Sequence, residues 1–191
     1  MKIIKLQNFK VNDSFETFSS WLQKDLNQVN KIILETLETD STLITELSNY
    51  IIGAGGKRIR PLLTLATARL CHYSGNRHLS LASTIEFIHT ATLLHDDVVD
   101  GSKKRRGKKT ANFIWGNKSS ILVGDFLLSK AFKILINDGS LKCIDIISNV
   151  SEKISFGEVK QLMSVGNLNI SESDYLEIIG YKTAELFSAA C

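Results

Sequence analysis

The stretch LSLASTIEFIHTATLLHDDVVD (79–100) decides the fold of this 191-residue chain. It contains neither glycine nor proline, and Gly101 follows it directly. A run of this length without a breaker that stops at glycine predicts one long helix. The residues ahead of its acids, 87–94, are largely core-like, so we expect this helix to lie inside the protein.

Helical patterns also lie on both sides of this stretch. Between residues 15 and 38, apolar residues such as Leu22, Leu26 and Val29 recur every three or four positions and form one stripe. Pro61, the only proline, fits a first helical turn, where its missing N–H is not needed. The loop predicted over 101–117 includes a short helix near Asn112. The other predicted helices span 41–52, 61–73, 119–137, 140–165 and 171–190, and the whole predicts an all-α bundle of about eight helices.

Composition limits the possible classes of protein. A chain of this length with 43% hydrophobic residues is expected to form one globular domain over 1–191. A net charge of +3 gives no reason to expect nucleic acid as a partner. Three widely spaced cysteines fit neither a disulfide framework nor a zinc site and favour the cytoplasm. No segment reaches the roughly 18 apolar residues of a transmembrane helix, so a soluble protein is expected.

Three carboxylates cluster at the end of the long helix. At 100° per residue, Asp96 and Asp100 share one face and Asp97 lies at its edge; His89 and Thr92 extend that face. Acids here repel one another and the negative end of the helix dipole, so a cation is expected. Mg²⁺ suits such oxygen ligands and usually bridges them to phosphates. The alternative is a set of solvated acids on an outer surface.

Two basic segments accompany the acids. KKRRGKK (103–109) places six cations in seven positions, which alternatively reads as a solvated charge run or a nucleic-acid patch. Aromatic residues are not interleaved with it, and the adjacent acids would repel a nucleic-acid backbone. Lys57, Arg58 and Arg60 follow a glycine-rich loop (53–56) and open the helix at Pro61. This pattern alone is more often a turn, but beside the acids it predicts a second phosphate site.

At this point the chain resembles the trans-isoprenyl diphosphate synthases. DDxxD alone is shared with terpene cyclases, but cyclases do not need a second diphosphate site such as that of Lys57 and Arg60. The sequence of residues 89–100 most resembles that of long-chain, octaprenyl-type bacterial members, which make quinone side chains. The matching segments are GGKRIRPLL (55–63), EFIHTATLLHDDVVD (86–100), RRG (105–107), GDFLLSKAF (124–132), GEVKQL (157–162) and YKTAELF (181–187).

The resemblance implies a role for each matching residue. Asp96 and Asp100, with Asp97 in support, would hold Mg²⁺ on an allylic diphosphate. That diphosphate would also be contacted by Arg105, Lys182 and Thr183. The implied ligands of isopentenyl diphosphate are Lys57, Arg60, His89 and Arg106. The implied catalytic set is Asp96, Asp97, Asp100 and Lys182.

The implied reaction is a head-to-tail condensation of isopentenyl diphosphate with the allylic substrate. Ala91 and Thr92 lie about one turn below Asp96, and both are small. In short-product relatives an aromatic side chain at this position closes the bottom of the product cavity. The small residues here therefore imply a long product. Ordinary packing at a tight helix crossing explains Ala91 nearly as well. Glu158 and Gln161 interrupt apolar patterns, and each alone could be a surface residue.

The sequence departs from the family in one respect. Members carry a second aspartate-rich motif facing the first, whereas the later aspartates here stand singly: Asp125, Asp138, Asp145 and Asp174. We therefore expect an isoprenoid-synthase-type helical bundle that is C-terminally truncated. Two explanations remain, a fragment or a shortened chain completed by a partner in a homodimer or heterodimer. The alternative function is a non-catalytic, regulatory chain that partners a full-length synthase.

Overall fold

The structure, a computed structural model, describes residues 11–53 and 55–191. The predicted domain's residues 1–10 lie outside this part. The described helices are α1 (Val11–Leu37), α2 (Thr42–Gly53), α3 (Ile59–Leu70), α4 (Arg77–Val99), α5 (Ala111–Trp115), α6 (Asn117–Asp138), α7 (Leu141–Ser164), α8 (Glu172–Ile179) and α9 (Glu185–Ala190). Strands β1 (Lys104–Arg105) and β2 (Lys108–Lys109) form an antiparallel hairpin between α4 and α5. The all-α prediction is confirmed.

Helix α4 is the centre of the bundle. It packs against α1, α3 and α6, and α5 and α9 touch it as well. Every residue from Ala82 to Ile88 is buried, which covers nearly two full turns. The middle of α4 is enclosed by neighbouring helices, and this explains why its apolar residues are not confined to one side of the helix. Polar residues on α4 therefore stand out as candidates for a site.

The outer helices follow their sequence patterns. The stripe of α1 that includes Leu22, Val29 and Ile33 is buried in the common core. Ser41 precedes α2, and its Oγ accepts a hydrogen bond from the Ile44 N–H at 3.5 Å, as a residue that caps a helix N-terminus does. Pro61 lies in the first turn of α3, as predicted.

Three predicted segments differ in detail. The third helix ends at Leu70 instead of continuing to about Tyr73. The predicted loop over 101–117 contains the β1–β2 hairpin and α5, and α6 then begins at Asn117. The helix predicted over 171–190 is interrupted by a π-helical turn, Gly180–Ala184, which joins α8 to α9. Within the described residues, no helix is both long and apolar enough to span a membrane.

Candidate active site

The first part of the site lies where the C-terminal end of α4 faces α7 and the π-helical turn. Lys182, on that turn, places its Nζ 3.7 Å from Oδ2 of Asp96 and 2.8 Å from the carboxylate of Glu158 on α7. The three side chains are only partly exposed, by 15% for Asp96, 23% for Lys182 and 25% for Glu158. We call this cluster, together with the exposed Asp100, the acid site.

The surroundings of Asp96 disfavour its ionised form. Burial, followed by the negative charge of Glu158, raises the pKa of Asp96 to about 6, although Lys182 acts in the opposite direction. Asp100 adds a further negative charge one turn away. The acid site therefore carries more negative charge than its one ammonium group offsets, so an additional cation would be stabilised there.

Asp97 is separated from the acid site. Its side chain is 1% exposed and accepts hydrogen bonds from Arg105 Nη2 at 2.8 Å and Nε at 3.0 Å. Asn112 of α5 donates to the Asp97 carbonyl at 3.0 Å and to the Ser102 carbonyl at 3.2 Å. These contacts attach the end of α4 to the hairpin and to α5. Of the three acids, Asp97 is thus paired internally while Asp96 and Asp100 remain available to a ligand.

The acid site fits a divalent cation that is shared with a ligand. Asp96 and Asp100 offer hard carboxylate oxygens, the donor type that Mg²⁺ prefers. Among the described residues, no three His, Cys, Asp or Glu side chains form a complete metal site. The remaining positions around such an ion would have to be filled by water and by phosphate oxygens, as is usual for Mg²⁺.

The second part of the site is a cleft of about 500 Å³ that lies about two turns earlier along α4. It is bounded by the end of α2, the loop before α3, the middle of α4 and Phe187 of α9. The cationic side chains that line it are Lys57, Arg58, Arg60 and Arg106. We call it the basic cleft. Its charge and size suit a diphosphate group.

Arg60 and His89 form the floor of the basic cleft. Arg60 Nη1 lies 3.2 Å from His89 Nε2, and its guanidinium carbon lies 4.2 Å from the centre of the Phe187 ring. Burial and the neighbouring arginines, Arg60 first, lower the pKa of His89 to about 3, so the ring is neutral. Because arginine can only donate, Nε2 of His89 must be the acceptor. Nε of Arg60 is buried without a hydrogen-bond partner, which leaves one donor for a ligand.

The loops around the basic cleft are held by their own arginines. Arg58 forms an ion pair with the buried Glu86 and donates to the Ile52 carbonyl at 3.1 Å. Arg106 donates to the Gly55 carbonyl and so joins the hairpin to the glycine loop. Both arginines have positive φ, 48° and 52°, a conformation that side chains other than glycine seldom adopt. Such strain is found most often where a site is held in a fixed shape.

Comparisons with known proteins agree with this geometry. The family model described as polyprenyl synthetase matches residues 41–191. The chain belongs to the polyprenyl synthetase family. It is 49% identical over 177 residues to octaprenyl diphosphate synthase of Escherichia coli strain K12, which covers 93% of this chain and 55% of that relative. The chain thus spans about half the length of the curated relatives it matches.

Solved structures of the polyprenyl synthetase family share the fold. A decaprenyl diphosphate synthase from Rhodobacter capsulatus superposes with a TM-score of 0.90 at 48% identity, covering 92% of this chain and 55% of that one. A polyprenyl synthase from Caulobacter crescentus, complexed with calcium and isoprenyl diphosphate, gives the same score and identity over 92% of this chain and 54% of that one. The predicted isoprenoid-synthase-type fold is confirmed.

The remaining predicted residues have varied surroundings. Ala91 is fully buried in the core, whereas Thr92 is partly exposed and donates to the His89 carbonyl at 2.9 Å. Thr183 is exposed on the π-helical turn. Lys57 is exposed at the rim of the basic cleft, with Nζ 5.3 Å from the centre of the Phe15 ring. The roles implied for these residues stay predictions.

Three residues that the fold brings to the site were not predicted to be site residues. Glu86 pairs with Arg58 in the basic cleft, Phe187 stacks beneath Arg60, and Glu158 contacts Lys182 in the acid site. Glu86 carried a usable signal, since a carboxylate within an otherwise apolar helix needs a partner. In the sequence, Glu158 differs from its neighbours only as a polar residue on an apolar pattern, and nothing local distinguishes Phe187 from a core residue.

Proposed function

We propose that this chain is a prenyltransferase that joins isopentenyl diphosphate to an allylic diphosphate. One observation carries the proposal: a single buried helix, α4, presents His89 to a basic cleft and Asp96 to a separate acid site. Seven residues separate the two side chains, about 10 Å along the helix axis. Two sites of different charge at this spacing suit two diphosphate substrates whose carbon ends must meet.

The basic cleft is assigned to isopentenyl diphosphate. Arg60, Lys57 and Arg106 supply positive charge, and the buried Nε of Arg60 has a donor free for a phosphate oxygen. The one carboxylate among the cleft's lining residues, Glu86, is already paired with Arg58. Without a free carboxylate in the cleft, binding there requires no metal ion.

The acid site is assigned to the allylic diphosphate with Mg²⁺. Asp96 and Asp100 would hold the ion, whose chemistry at this position is to neutralise the negative charge that develops on the departing diphosphate. Lys182 and Arg105 stand beside these acids and would contact the same diphosphate, with Thr183 beside Lys182. Asp97 supports the site by fixing Arg105, as their paired hydrogen bonds suggest.

The chain's residues contribute binding, orientation and charge instead of a nucleophile. The bond between the allylic carbon and its diphosphate oxygen breaks, and the electron pair leaves with the diphosphate. The double bond of isopentenyl diphosphate then supplies the electrons of the new carbon–carbon bond. The proton lost from the adjacent carbon passes to the released diphosphate. Cationic side chains already in place stabilise this charge without reorganising.

We further propose that the product is a long, octaprenyl-like chain of the kind used in quinone side chains. An apolar cavity of about 340 Å³ lies between α3, α4, α7 and α9. Its wall includes Leu81, Thr84 and Ile85 of α4, the last of which is 11 residues before Asp96, about 17 Å along the helix. Ala91 and Thr92, both small, lie between the two, and the proposed tail would pass them on its way from the acid site toward this cavity.

Incorporation of radiolabelled isopentenyl diphosphate into an extractable product tests this proposal. With Mg²⁺ and an allylic diphosphate primer, the chain is expected to form labelled polyprenyl diphosphate, and the Asp96→Ala variant is expected to form none. An equal yield from the two proteins would contradict the proposal.

A non-catalytic, regulatory chain that partners a full-length synthase is the second candidate function. For this candidate, the chain is inactive alone and changes the output of a full-length synthase when the two are mixed. An Asp96→Ala substitution that lowers the activity of the mixture would show that the chain takes part in catalysis.

A further inference from the structure

The proposed function assigns no role to Glu158, although its carboxylate contacts Lys182. We infer that Glu158 is a positioning residue that holds the Lys182 ammonium away from Asp96 and thereby keeps the Asp96 carboxylate open to a divalent cation. This inference rests on the proposed function, since it concerns the metal-binding half of the same site.

The distances around Lys182 are unequal. Its Nζ lies 2.8 Å from the Glu158 carboxylate, within hydrogen-bonding range, and 3.7 Å from Oδ2 of Asp96, beyond it. The ammonium group is thus bound to one carboxylate and only near the other. All three side chains are mostly buried, so the attraction between them is less screened than on the open surface.

Without the Glu158 charge, the Lys182 ammonium would have Asp96 as its nearest anion. Lysine has a flexible four-carbon stem, and a movement of about 1 Å would convert the 3.7 Å separation into a direct hydrogen bond. A cation that binds Asp96 would then have to displace the ammonium first. Glu158 prevents this competition by offering Lys182 a better partner.

The backbone around Glu158 brings it to this position. Gly157, its neighbour on α7, allows the π-helical turn to approach so closely that an added Cβ would lie 2.9 Å from Tyr181 Cβ and 3.0 Å from the Lys182 nitrogen. The π-helical turn changes the direction in which the following side chains point and is often found at functional sites. Glu158 and Lys182 therefore face each other because α7 and the π-helical turn fit closely.

An ordinary surface ion pair would make no such difference to ligand binding. The chain contains a matched example, Lys160 and Glu177, which also joins α7 to the next helix and has Nζ 2.6 Å from Oε2. This second pair does not include a residue of the acid site. It provides a control for the loss of one α7 ion pair.

A double-mutant cycle tests the inference on the whole 191-residue chain. The probe is the magnesium complex of inorganic pyrophosphate, and calorimetric titration gives its dissociation constant for the unmodified chain, Glu158→Gln, Lys182→Met and the double variant. We expect Glu158→Gln to raise the constant about tenfold, a change of about 1.4 kcal/mol. In the Lys182→Met background the same substitution is expected to have less than about a twofold effect, because no ammonium remains to block Asp96. Glu177→Gln is expected to leave the constant unchanged.

Several outcomes would overturn the inference. Unchanged affinity in Glu158→Gln would show that Lys182 does not compete at Asp96. An equal loss in both backgrounds would make Glu158 a direct ligand of the ion. A comparable loss in Glu177→Gln would indicate a general effect of α7 ion pairs. If the unmodified chain binds no magnesium pyrophosphate, the assignment of the acid site in the proposed function is wrong as well.

Discussion

The buried carboxylate of Asp97 accepts two hydrogen bonds from Arg105, at 2.8 Å from Nη2 and 3.0 Å from Nε. This pair divides the aspartate-rich run into parts with different physical roles. Asp97 joins the end of α4 to the hairpin, whereas Asp96 and Asp100 carry charge that a ligand can use. Stability and ligand binding should therefore respond differently to substitutions only one or three residues apart.

Asp97→Ala is expected to lower the free energy of unfolding by about 1.5–3 kcal/mol, because it removes hydrogen bonds to a charged group and leaves Arg105 without its partner. Asp100→Ala, at an exposed position, is expected to change it by less than about 0.5 kcal/mol. Urea denaturation of both variants measures the difference. Equal losses would mean that the Asp97 pair contributes nothing particular to the fold.

Gly157→Ala is expected to destabilise the protein by about 1–3 kcal/mol, because the new Cβ would overlap the backbone of the π-helical turn. It should also displace Lys182 and weaken binding of magnesium pyrophosphate. Gly180→Ala is the matched control, since an added Cβ there meets nothing within 4 Å and the residue has helical φ and ψ. Urea unfolding and calorimetric titration of the two variants provide the comparison; similar behaviour would argue against the close fit.

The neutral His89 predicts a contribution to acid sensitivity. Because its pKa falls from the ordinary 6.5 to about 3 in the folded chain, the unfolded chain binds this proton first as the pH is lowered. The stability that His89 contributes is full above about pH 6.5 and is lost as the pH falls toward 3, by up to 1.4 kcal/mol per pH unit. In His89→Gln, the free energy of unfolding should fall less steeply between pH 6 and pH 4. Identical slopes in the two proteins would show that His89 is not held neutral.

Thr92→Phe is expected to shorten the product if the tail leaves the acid site along α4. A ring at this partly exposed position would occupy the space between Asp96 and the apolar cavity, while Thr92→Ser should leave the length unchanged. Reverse-phase chromatography of dephosphorylated products measures chain length. An unchanged product from Thr92→Phe would place the tail elsewhere.

Much of the fold could be predicted because its signals are local. The absence of breakers over 79–100 predicted α4, and helix geometry placed Asp96 and Asp100 on one face. The same geometry placed Asp97 at the edge of this face but could not show that it is buried. Its partner Arg105 lies in a hairpin whose path depends on tertiary contacts.

The rest of the site depends on contacts between distant segments. Apart from Gly180, the sequence gives no sign of the π-helical turn, which is packed against Gly157 more than 20 residues earlier. The pairing of Glu158 with Lys182 and the stacking of Phe187 under Arg60 follow from that packing. Local periodicity contains no information about such contacts, so these residues read as surface or core positions in the sequence.

In the proposed function, α4 carries two diphosphate sites, and only one of them depends on metal. Calorimetric titration with isopentenyl diphosphate, and separately with an unreactive thio analogue of the allylic diphosphate, in the presence and absence of Mg²⁺, tests this most directly. We predict that isopentenyl diphosphate binds without Mg²⁺ and that Arg60→Gln abolishes this binding. The allylic analogue is predicted to bind only with Mg²⁺, and Asp96→Asn is predicted to abolish its binding. If both ligands require Mg²⁺, or if Asp96→Asn abolishes both, the two-site account is contradicted.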